Sequence, residues 1–313
     1  DHRLRLTLEV IEEVRRVCGK NFIIDVRTSG SEYTDGGLNL NDMIYVAKQL
    51  EKAGVDFLHV SGGTTIARGS SIPAPGTPMG SHAATAAEIK KYVSIPVATV
   101  GRITEPWIAE ELIANGKADI CMIGRANLCD PEFANKVAAE KADDIRPCIG
   151  CLRCLNGIMF GKRVACTVNP SFELENEDTL APAAEKKNVL VIGSGPAGME
   201  AAFVAAKRGH HVVLCEKDAE LGGLMRIAAV PIAKQDLTRL IQYMARRLEG
   251  AGVEVRLNCT VDKAMLEGEF KGWEVIAGAG AQPIVVPAFT GFKQWMTADD
   301  VLAGRAFPGR RIV

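Results

Sequence analysis

Four cysteines in the middle of the chain have a spacing that suits metal chemistry. Cys148, Cys151 and Cys154 are separated by two residues each, and Cys166 follows after eleven more. Thiolates so spaced can converge on one iron–sulfur cubane, because three come from a tight loop and the fourth from the next segment. Zinc is the main alternative, but tetrahedral zinc sites usually pair their cysteines as two CxxC motifs. The spacing therefore favours a [4Fe-4S] cluster over zinc and over coincidence.

A glycine-rich turn is the second candidate site. The stretch VLVIGSGPAG, residues 189–198, places a GxGxxG pattern between an apolar run and a helical one. In this pattern the first glycine permits a tight turn, the second lets a pyrophosphate approach a helix N-terminus, and the third allows close helix–strand packing. Glu216 ends the next predicted strand, where a carboxylate can hold both hydroxyls of an unphosphorylated ribose. A structural glycine turn without a ligand is the alternative.

A paired glycine after this acid extends the predicted nucleotide site. Leu221-Gly222-Gly223 suits a second backbone approach to a diphosphate, as FAD requires. The predicted FAD contacts come from the glycine turn, the acid with its neighbour and the second glycine of the pair: Gly193, Ser194, Gly195, Ala197, Gly198, Glu216, Lys217 and Gly223.

Two Gly-Arg pairs form a third candidate site. Gly101-Arg102 and Gly124-Arg125 each follow a predicted strand, and in (β/α)₈ enzymes the loops after the last two strands commonly bind phosphate. We expect these pairs to hold the phosphate of FMN, and Arg27, at the end of an earlier predicted strand, to reach the electron-rich flavin edge. A role as solvated salt-bridge partners is the alternative for the arginines.

Two histidines lie near these predicted strand ends. His82, at a predicted helix start, is expected to be a surface or capping residue, and His59 is expected to be either a packed core residue or a flavin neighbour. No catalytic residue is assigned from the sequence.

The elements that position these residues follow an α/β pattern. Residues 4–147 alternate between amphipathic helical stretches and short β-branched runs, as parallel βα units do. The predicted strands are near-continuous apolar runs, expected to be buried on both faces, at 22–27, 57–60, 96–100 and 120–123. The predicted helices lie near 5–17, 40–53, 83–92, 106–115 and 131–140.

Four βα units make half of an eight-stranded barrel, and an open four-stranded sheet is the alternative. Because bare parallel edges are a liability, we expect a preceding N-terminal half-barrel of similar size, or a second copy, to cover them. A polar linker leads to a second α/β unit, with strands predicted at 189–192 and 211–215, a helix between them, and a further strand opening at Arg310.

The predicted fold is therefore α/β in three parts. Residues 1–147 form the second half of an FMN-binding TIM barrel, residues 148–187 a cysteine-rich connector and linker, and residues 188–313 a truncated Rossmann-like FAD-binding domain.

Composition narrows the classes of function. The 313 residues carry 37 Lys and Arg against 38 Asp and Glu, which argues against a nucleic-acid partner. No stretch approaches the roughly 18 apolar residues of a membrane span, and the start lacks the apolar core of a secretory signal. Nine cysteines in such a chain indicate metal or redox use and a cytoplasmic location rather than a disulfide framework.

The order of these parts resembles one family. The stretches that carry the resemblance are RLTLEVIEEVR, IPVATVGRI, MIGRANLCDP, DDIRPCIGC, CTVNP and GSGPAG. Together they are similar to the NADH:flavin oxidoreductases of the old yellow enzyme superfamily, and in particular to the multidomain group of 2,4-dienoyl-CoA reductase, enoate reductase and trimethylamine dehydrogenase. The similarity covers essentially the whole chain.

The resemblance implies a function. It implies electron flow from NAD(P)H to FAD, then to a [4Fe-4S] cluster, then to FMN, and finally to an α,β-unsaturated carbonyl substrate. It also implies that Val261, near the end of a later strand, lies by the adenine of FAD. The family keeps its flavin-facing loops and a tyrosine proton donor in a barrel half that this sequence does not include. Two alternatives stay open: a dehydrogenase of amine or acyl substrates that donates electrons to a soluble carrier, and a non-catalytic electron-transfer fragment.

Overall fold

The computed structural model describes residues 2–174, 180–281, 284, 288 and 295–310. Within it the chain divides into two compact units, the first made of Asp1–Ala142 and Gly150–Val168 and the second of Asp143–Ile149 and Asn169–Val313. The predicted linker is described only in part, and the strand predicted to open at Arg310 falls largely outside the described residues.

The first unit alternates helices and strands along the chain. Its four strands form one parallel sheet in sequence order, as expected for consecutive βα units. The elements are α1 (Arg5–Cys18), β1 (Asp25–Ser29), α2 (Leu40–Lys52), β2 (Phe57–Ser61), α3 (Arg68–Ser71), α4 (Ala83–Lys90), β3 (Val97–Thr99), α5 (Pro106–Ala114), β4 (Ile120–Cys121), α6 (Arg125–Cys129), α7 (Phe133–Ala138) and α8 (Arg153–Met159).

The core of this unit lies between the sheet and the helices α2 and α4. Leu58 and Val97 from the strands and Ile89 from α4 are fully buried together in it. Helix α2 begins with a capping box, in which the Asn39 side chain accepts from the amide of Asp42 and the Asp42 carboxylate accepts from the amide of Asn39. These bonds satisfy amides that the first turn of the helix leaves unpaired.

The prediction for the first strand was wrong in position and in burial. Strand β1 covers Asp25–Ser29 instead of 22–27, because its residues pair with β2 from Asp25–Phe57 to Ser29–Ser61. Phe22 and Ile23 precede the strand and are 52% and 68% exposed. Arg27 therefore lies in the middle of β1, not at its end. Strands β1 and β4 are also not buried on both faces, since every residue of the two strands is exposed or only half-buried.

The second unit has its own parallel sheet. The strand order β7-β6-β5-β8 places the two predicted strands, now β5 and β6, at its centre, and β6 has the predicted bounds. The elements are β5 (Asn188–Ile192), α9 (Pro196–Lys207), β6 (His211–Cys215), α10 (Leu224–Ala228), α11 (Asp236–Gly250), β7 (Glu254–Arg256), α12 (Lys263–Glu267), β8 (Glu274–Ala277) and α13 (Ala298–Leu302). No helix in the described part of the chain has the length and apolar character needed to cross a membrane.

The burial of Leu58 predicts how much stability is lost when its side chain is replaced by that of alanine. Leu58 is fully buried in β2, so we expect L58A to lower the free energy of unfolding by about 2–5 kcal/mol through lost burial and a cavity. Leu6, 72% exposed on α1, is the matched control, and L6A should change stability by no more than about 0.5 kcal/mol. Urea titration followed by circular dichroism measures both, and equal losses would contradict the placement of the core.

Candidate cofactor sites

A large cavity lies at the carboxyl ends of the strands in the second unit. Its volume is about 1080 Å³, which is in the upper range for small-molecule and cofactor sites. The cavity brings together seven of the residues predicted to contact FAD: Gly193, Ser194, Gly195, Glu216, Lys217, Gly223 and Val261. Ala197 and Gly198 follow in α9 and are not part of its lining.

The glycines of this site differ in what surrounds them. Gly193 has φ +95°, a conformation that favours glycine, and a side chain on Gly198 would collide with the carbonyl oxygen of Gly193. Gly195, in contrast, has no atom within 4 Å of the position of a Cβ, so the space beside it is open. Gly198 therefore allows close packing, and Gly195 leaves room for a ligand.

Ser194 and Glu216 connect the loops that surround the cavity. Both are buried, and one carboxylate oxygen accepts from the amide of Ser194 at 2.8 Å and from its hydroxyl at 2.7 Å. The other accepts from the amide of Asp218 at 2.9 Å, and the amide of Gly222 donates to the hydroxyl of Ser194 at 3.2 Å. A carboxylate has about four acceptor positions, so one position is left for a ribose hydroxyl.

The same contacts decide the charge of the Glu216 carboxyl. Burial alone would raise its pKa, but the hydrogen bonds from the Ser194 hydroxyl and from the amides of Asp218 and Ser194 outweigh burial and lower the pKa below its ordinary value of 4.5. The group is therefore a carboxylate at neutral pH, the form that accepts hydrogen bonds from a ribose.

Part of the cavity wall was not recognised in the sequence. Val261 was expected near the end of a strand, but β7 ends at Arg256 and Val261 lies in the connection to α12. Asp299, Asp300 and Arg305, in and after α13, also line the cavity. They lie more than 80 residues after Glu216 and carry no local motif, so only the fold could reveal them.

Polar side chains gather on the neighbouring strands β1 and β2 of the first unit. The Arg27 guanidinium donates to the Ser61 hydroxyl at 3.1 Å, and Arg27 is paired in register with His59 on the neighbouring strand. Burial, and secondly the charge of Arg27, lower the pKa of His59 to about 4. His59 is therefore a neutral imidazole that is buried beside the arginine predicted to reach the flavin.

His82 matches its sequence prediction in position but not in exposure. It is the N-cap residue of α4, although its side chain makes no capping hydrogen bond, and it is only 3% exposed and therefore not a surface residue. The imidazole lies where side chains on Gly62 and Gly101 would be, because a Cβ at either position would come within 3 Å of its ring. No local pattern reports this burial, since both glycines are about twenty residues away in the sequence.

The two Gly-Arg pairs lie in the first unit, each just after a strand. Gly101 has φ +121° and Arg102 has φ +53°, and the Arg102 guanidinium donates to the carbonyl of Thr77 at 2.5 Å. Such backbone strain is concentrated at functional sites. Gly124 has open space where a Cβ would be, and Nη1 of Arg125 is buried without a hydrogen-bond partner in the described residues. These features leave both pairs able to receive an anionic group.

Three of the four cysteines lie on the segment Gly150–Val168 of the first unit, here called the cysteine segment. Burial raises the pKa of the Cys154 thiol, the positive charge of Arg125 lowers it, and the thiols of Cys151 and Cys166 raise it further. Arg125, Cys151 and Cys166 are therefore each within electrostatic reach of Cys154. Cys148, three residues before Cys151, is half-buried.

The described residues contain no group of three or more His, Cys, Asp or Glu side chains placed to hold a metal ion. The structure thus shows no metal site in this part of the chain. The iron–sulfur cluster stays a prediction from the spacing of the cysteines.

Comparison with protein families identifies both units. Residues 1–144 match the NADH:flavin oxidoreductase / NADH oxidase family, and residues 188–277 match the FAD dependent oxidoreductase family. The chain is 38% identical to the NADH oxidase of Thermoanaerobacter brockii over 97% of its own length and 48% of that protein. It is 33% identical to the cinnamate reductase of Clostridium sporogenes over its whole length and 49% of that protein.

A solved structure supports the same assignment. A complex of 2-naphthoyl-CoA reductase with 2-naphthoyl-CoA matches with a TM-score of 0.90 and 26% identity, over 98% of this chain and 47% of that one. The chain thus spans about half the length of the relatives it matches.

The open space at Gly195 and the tight packing at Gly198 predict different outcomes for alanine. We expect G195A to keep its stability within about 0.5 kcal/mol but to bind FAD about tenfold more weakly, because the methyl group occupies space that a pyrophosphate needs. G198A should lose about 1–3 kcal/mol of stability as well, since α9 must move away from Gly193. Thermal melting and fluorescence titration with FAD measure both. Unchanged FAD affinity in G195A would contradict the assignment.

The lowered pKa of Glu216 predicts a pH dependence of stability. Because the folded-state pKa lies below 4.5, the carboxylate stabilises the second unit fully above pH 4.5, and this contribution is lost as the pH falls through the folded-state pKa. The stability difference between wild type and E216Q should therefore be largest at neutral pH and narrow below 4.5. Thermal melting at a series of pH values measures it. The exposed Glu249 is the control, and E249Q should follow wild type throughout.

Proposed function

Since residues 1–144 belong to the NADH:flavin oxidoreductase / NADH oxidase family and residues 188–277 to the FAD dependent oxidoreductases, we propose that this chain serves a flavin-dependent reductase of α,β-unsaturated carbonyl compounds. Electrons pass from NAD(P)H through FAD and a [4Fe-4S] cluster to FMN, which reduces the substrate. The cluster accepts and donates single electrons, which links two flavins that each exchange electrons in pairs.

One observation of the first unit carries this proposal. The cysteine segment lies close to both arginines that are predicted to hold the FMN phosphate: a Cβ on Gly150 would lie 3.6 Å from Nε of Arg102, and the charge of Arg125 acts on the Cys154 thiol. Candidate cluster ligands and candidate phosphate ligands therefore lie beside each other. A cluster and a flavin that exchange electrons need this proximity.

The residues of the first unit fit FMN in chemical type. Arg102 and Arg125 would supply positive charge to a phosphate, and the open space beside Gly124 leaves room for it. Arg27, fixed by its bond to Ser61, supplies positive charge to the flavin ring. An arginine near this edge of the flavin stabilises the electron-rich reduced form.

The residues of the second unit fit FAD in the same way. Gly195 opens the turn before α9 to a pyrophosphate, and Glu216 keeps one acceptor position for a ribose hydroxyl. The cavity of about 1080 Å³ beside them is the space for the rest of the dinucleotide.

The cysteines fit a cubane better than a zinc ion. Each of the four cysteines binds a different iron atom of a cubane. The four cysteine sulfurs therefore lie further apart than the four ligands of a single tetrahedral ion. The thiols of Cys151 and Cys166 act electrostatically on Cys154, which supports a shared site, and the choice of a cubane over zinc rests on the spacing of the cysteines. Cys148 is the proposed fourth ligand.

Two further parts of the proposal concern the substrate and the sheet of the first unit. The names of the relatives, cinnamate reductase and 2-naphthoyl-CoA reductase, support a substrate with a carbonyl group conjugated to unsaturated carbon. The relatives are about twice as long as this chain, which supports a further segment of similar size that pairs with the edges of the first sheet and completes a barrel.

Cofactor analysis of the anaerobically purified protein tests this function. We expect about four irons and four sulfides per chain, together with FAD and FMN, and NADH should bleach both flavins. In C154A the iron and sulfide should be lost and NADH should still reduce FAD but no longer FMN. Stopped-flow absorbance of the shared flavin band should then show complete bleaching in wild type and about half of that bleaching in C154A.

C18A is the matched control, because Cys18 is an exposed cysteine at the end of α1. It should keep the full cofactor content and the reduction of both flavins. Stoichiometric zinc in place of iron, or FMN reduction that survives in C154A, would refute the proposed electron route. A wild-type protein that NADH does not reduce would favour the dehydrogenase alternative.

A further inference from the structure

Three buried polar groups of the first unit lack hydrogen-bond partners and lie close to Gly101. They are both ring nitrogens of His82, the hydroxyl of Ser81 and the hydroxyl of Thr99, none of which has a partner in the described part of the chain. His82 is 3% exposed and Thr99 is fully buried. Buried polar groups in proteins are nearly always hydrogen-bonded, so a cluster of exceptions indicates a missing partner.

His82 lies beside the first Gly-Arg pair, Gly101-Arg102. The amide of Ser81 donates to the carbonyl of Gly101 at 3.2 Å, which joins the start of α4 to the loop after β3. A Cβ on Gly101 would lie 2.9 Å from Cδ2 of the His82 ring, and a Cβ on Gly62 would lie 2.6 Å from its Nδ1. Two glycines therefore make room for one imidazole beside the Gly101-Arg102 loop.

The lowered pKa of His82 leaves its imidazole neutral. A neutral imidazole can form hydrogen bonds with a neutral group or with an anion. Burial, and secondly the charge of Arg27, lower the pKa of His82 below its ordinary value. A neutral imidazole offers one N–H donor and one acceptor nitrogen. Phosphate oxygens accept hydrogen bonds, and the hydroxyls of a sugar alcohol both donate and accept them.

We propose that His82 is a positioning residue of the flavin site, and that its imidazole hydrogen-bonds the ribityl-phosphate arm of FMN beside Gly101 and Arg102. This inference rests on the proposed function. The arm supplies the partners that the imidazole lacks, and His82 in turn holds the arm in the place where Arg102 and Arg125 meet the phosphate. A neutral imidazole would thus join the charged arginines and the glycines as a third kind of contact to FMN.

The test measures FMN binding in the holoenzyme. H82F keeps an aromatic ring but removes both nitrogens, so we expect the dissociation constant of FMN to rise about threefold to tenfold, the effect of one hydrogen bond. H82Q keeps a donor and an acceptor and should recover most of the affinity. Fluorescence titration of FMN into protein freed of FMN gives the constants.

I89V is the matched control, because Ile89 is fully buried in α4 and loses a methyl group without any polar change. I89V should lose about as much stability as H82F but keep the FMN affinity of wild type. The FAD content should stay constant in every variant. H82M, with a flexible side chain that fills irregular space, replaces H82F if that variant does not fold.

The outcomes separate the inference from the function on which it rests. Equal FMN affinity in H82F and wild type, an equal loss in I89V, or no recovery in H82Q overturns the role of His82 and leaves the proposed function in place. A wild-type holoenzyme that contains no FMN overturns both.

Discussion

Hydrogen-bond satisfaction is the constraint on which the first unit depends. At the carboxyl ends of β2 and β3 the chain buries His59, His82 and Thr99, and each leaves a donor or acceptor unpaired in the described residues. A buried polar group without a partner costs about 1–3 kcal/mol, so three together cost a large fraction of the stability of a domain. A fold keeps such an arrangement when a bound group completes it. The strand ends of this unit are therefore shaped for a ligand and not for stability.

The second unit satisfies its buried polar groups differently. Glu216 has three hydrogen bonds from its own chain, and Ser194 links its carboxylate to the amide of Gly222. The loops around the cavity are thus held in place by contacts within the protein. A preorganised site loses less conformational entropy when a ligand binds. On the proposed function, the two candidate nucleotide sites therefore differ in physical character: the first would be completed by its ligand, and the second is held in place by contacts within the protein.

This difference also explains how much could be predicted from the sequence. The turn at Gly193–Gly198 and the acid at Glu216 were predicted in place because strand, turn and helix follow one another locally, and the bounds of β6 were correct. Strand β1 was misplaced because pairing with β2, not the apolar run before it, decides where it begins. The burial of His82 depends on Gly62 and Gly101, which reach it only through the packing of the βα units. The sequence therefore predicted local turns and their side-chain chemistry, but it did not predict the contacts between elements that are distant in the sequence.

The arginines of the first unit connect its two kinds of anionic partner. Arg125 lowers the pKa of Cys154 and has a buried nitrogen without a hydrogen-bond partner in the described residues, and Arg102 lies against Gly150 of the cysteine segment. A guanidinium in such a position can stabilise a thiolate on one side and a phosphate on the other, because it offers five donors in a rigid plane. Neither anion would be stable alone in a buried place, since an unpaired charge there is costly. On the proposed function, Arg125 would be shared between the cysteine segment and the phosphate, so that each would depend on the other, as an electron-transfer site between a cluster and a flavin requires.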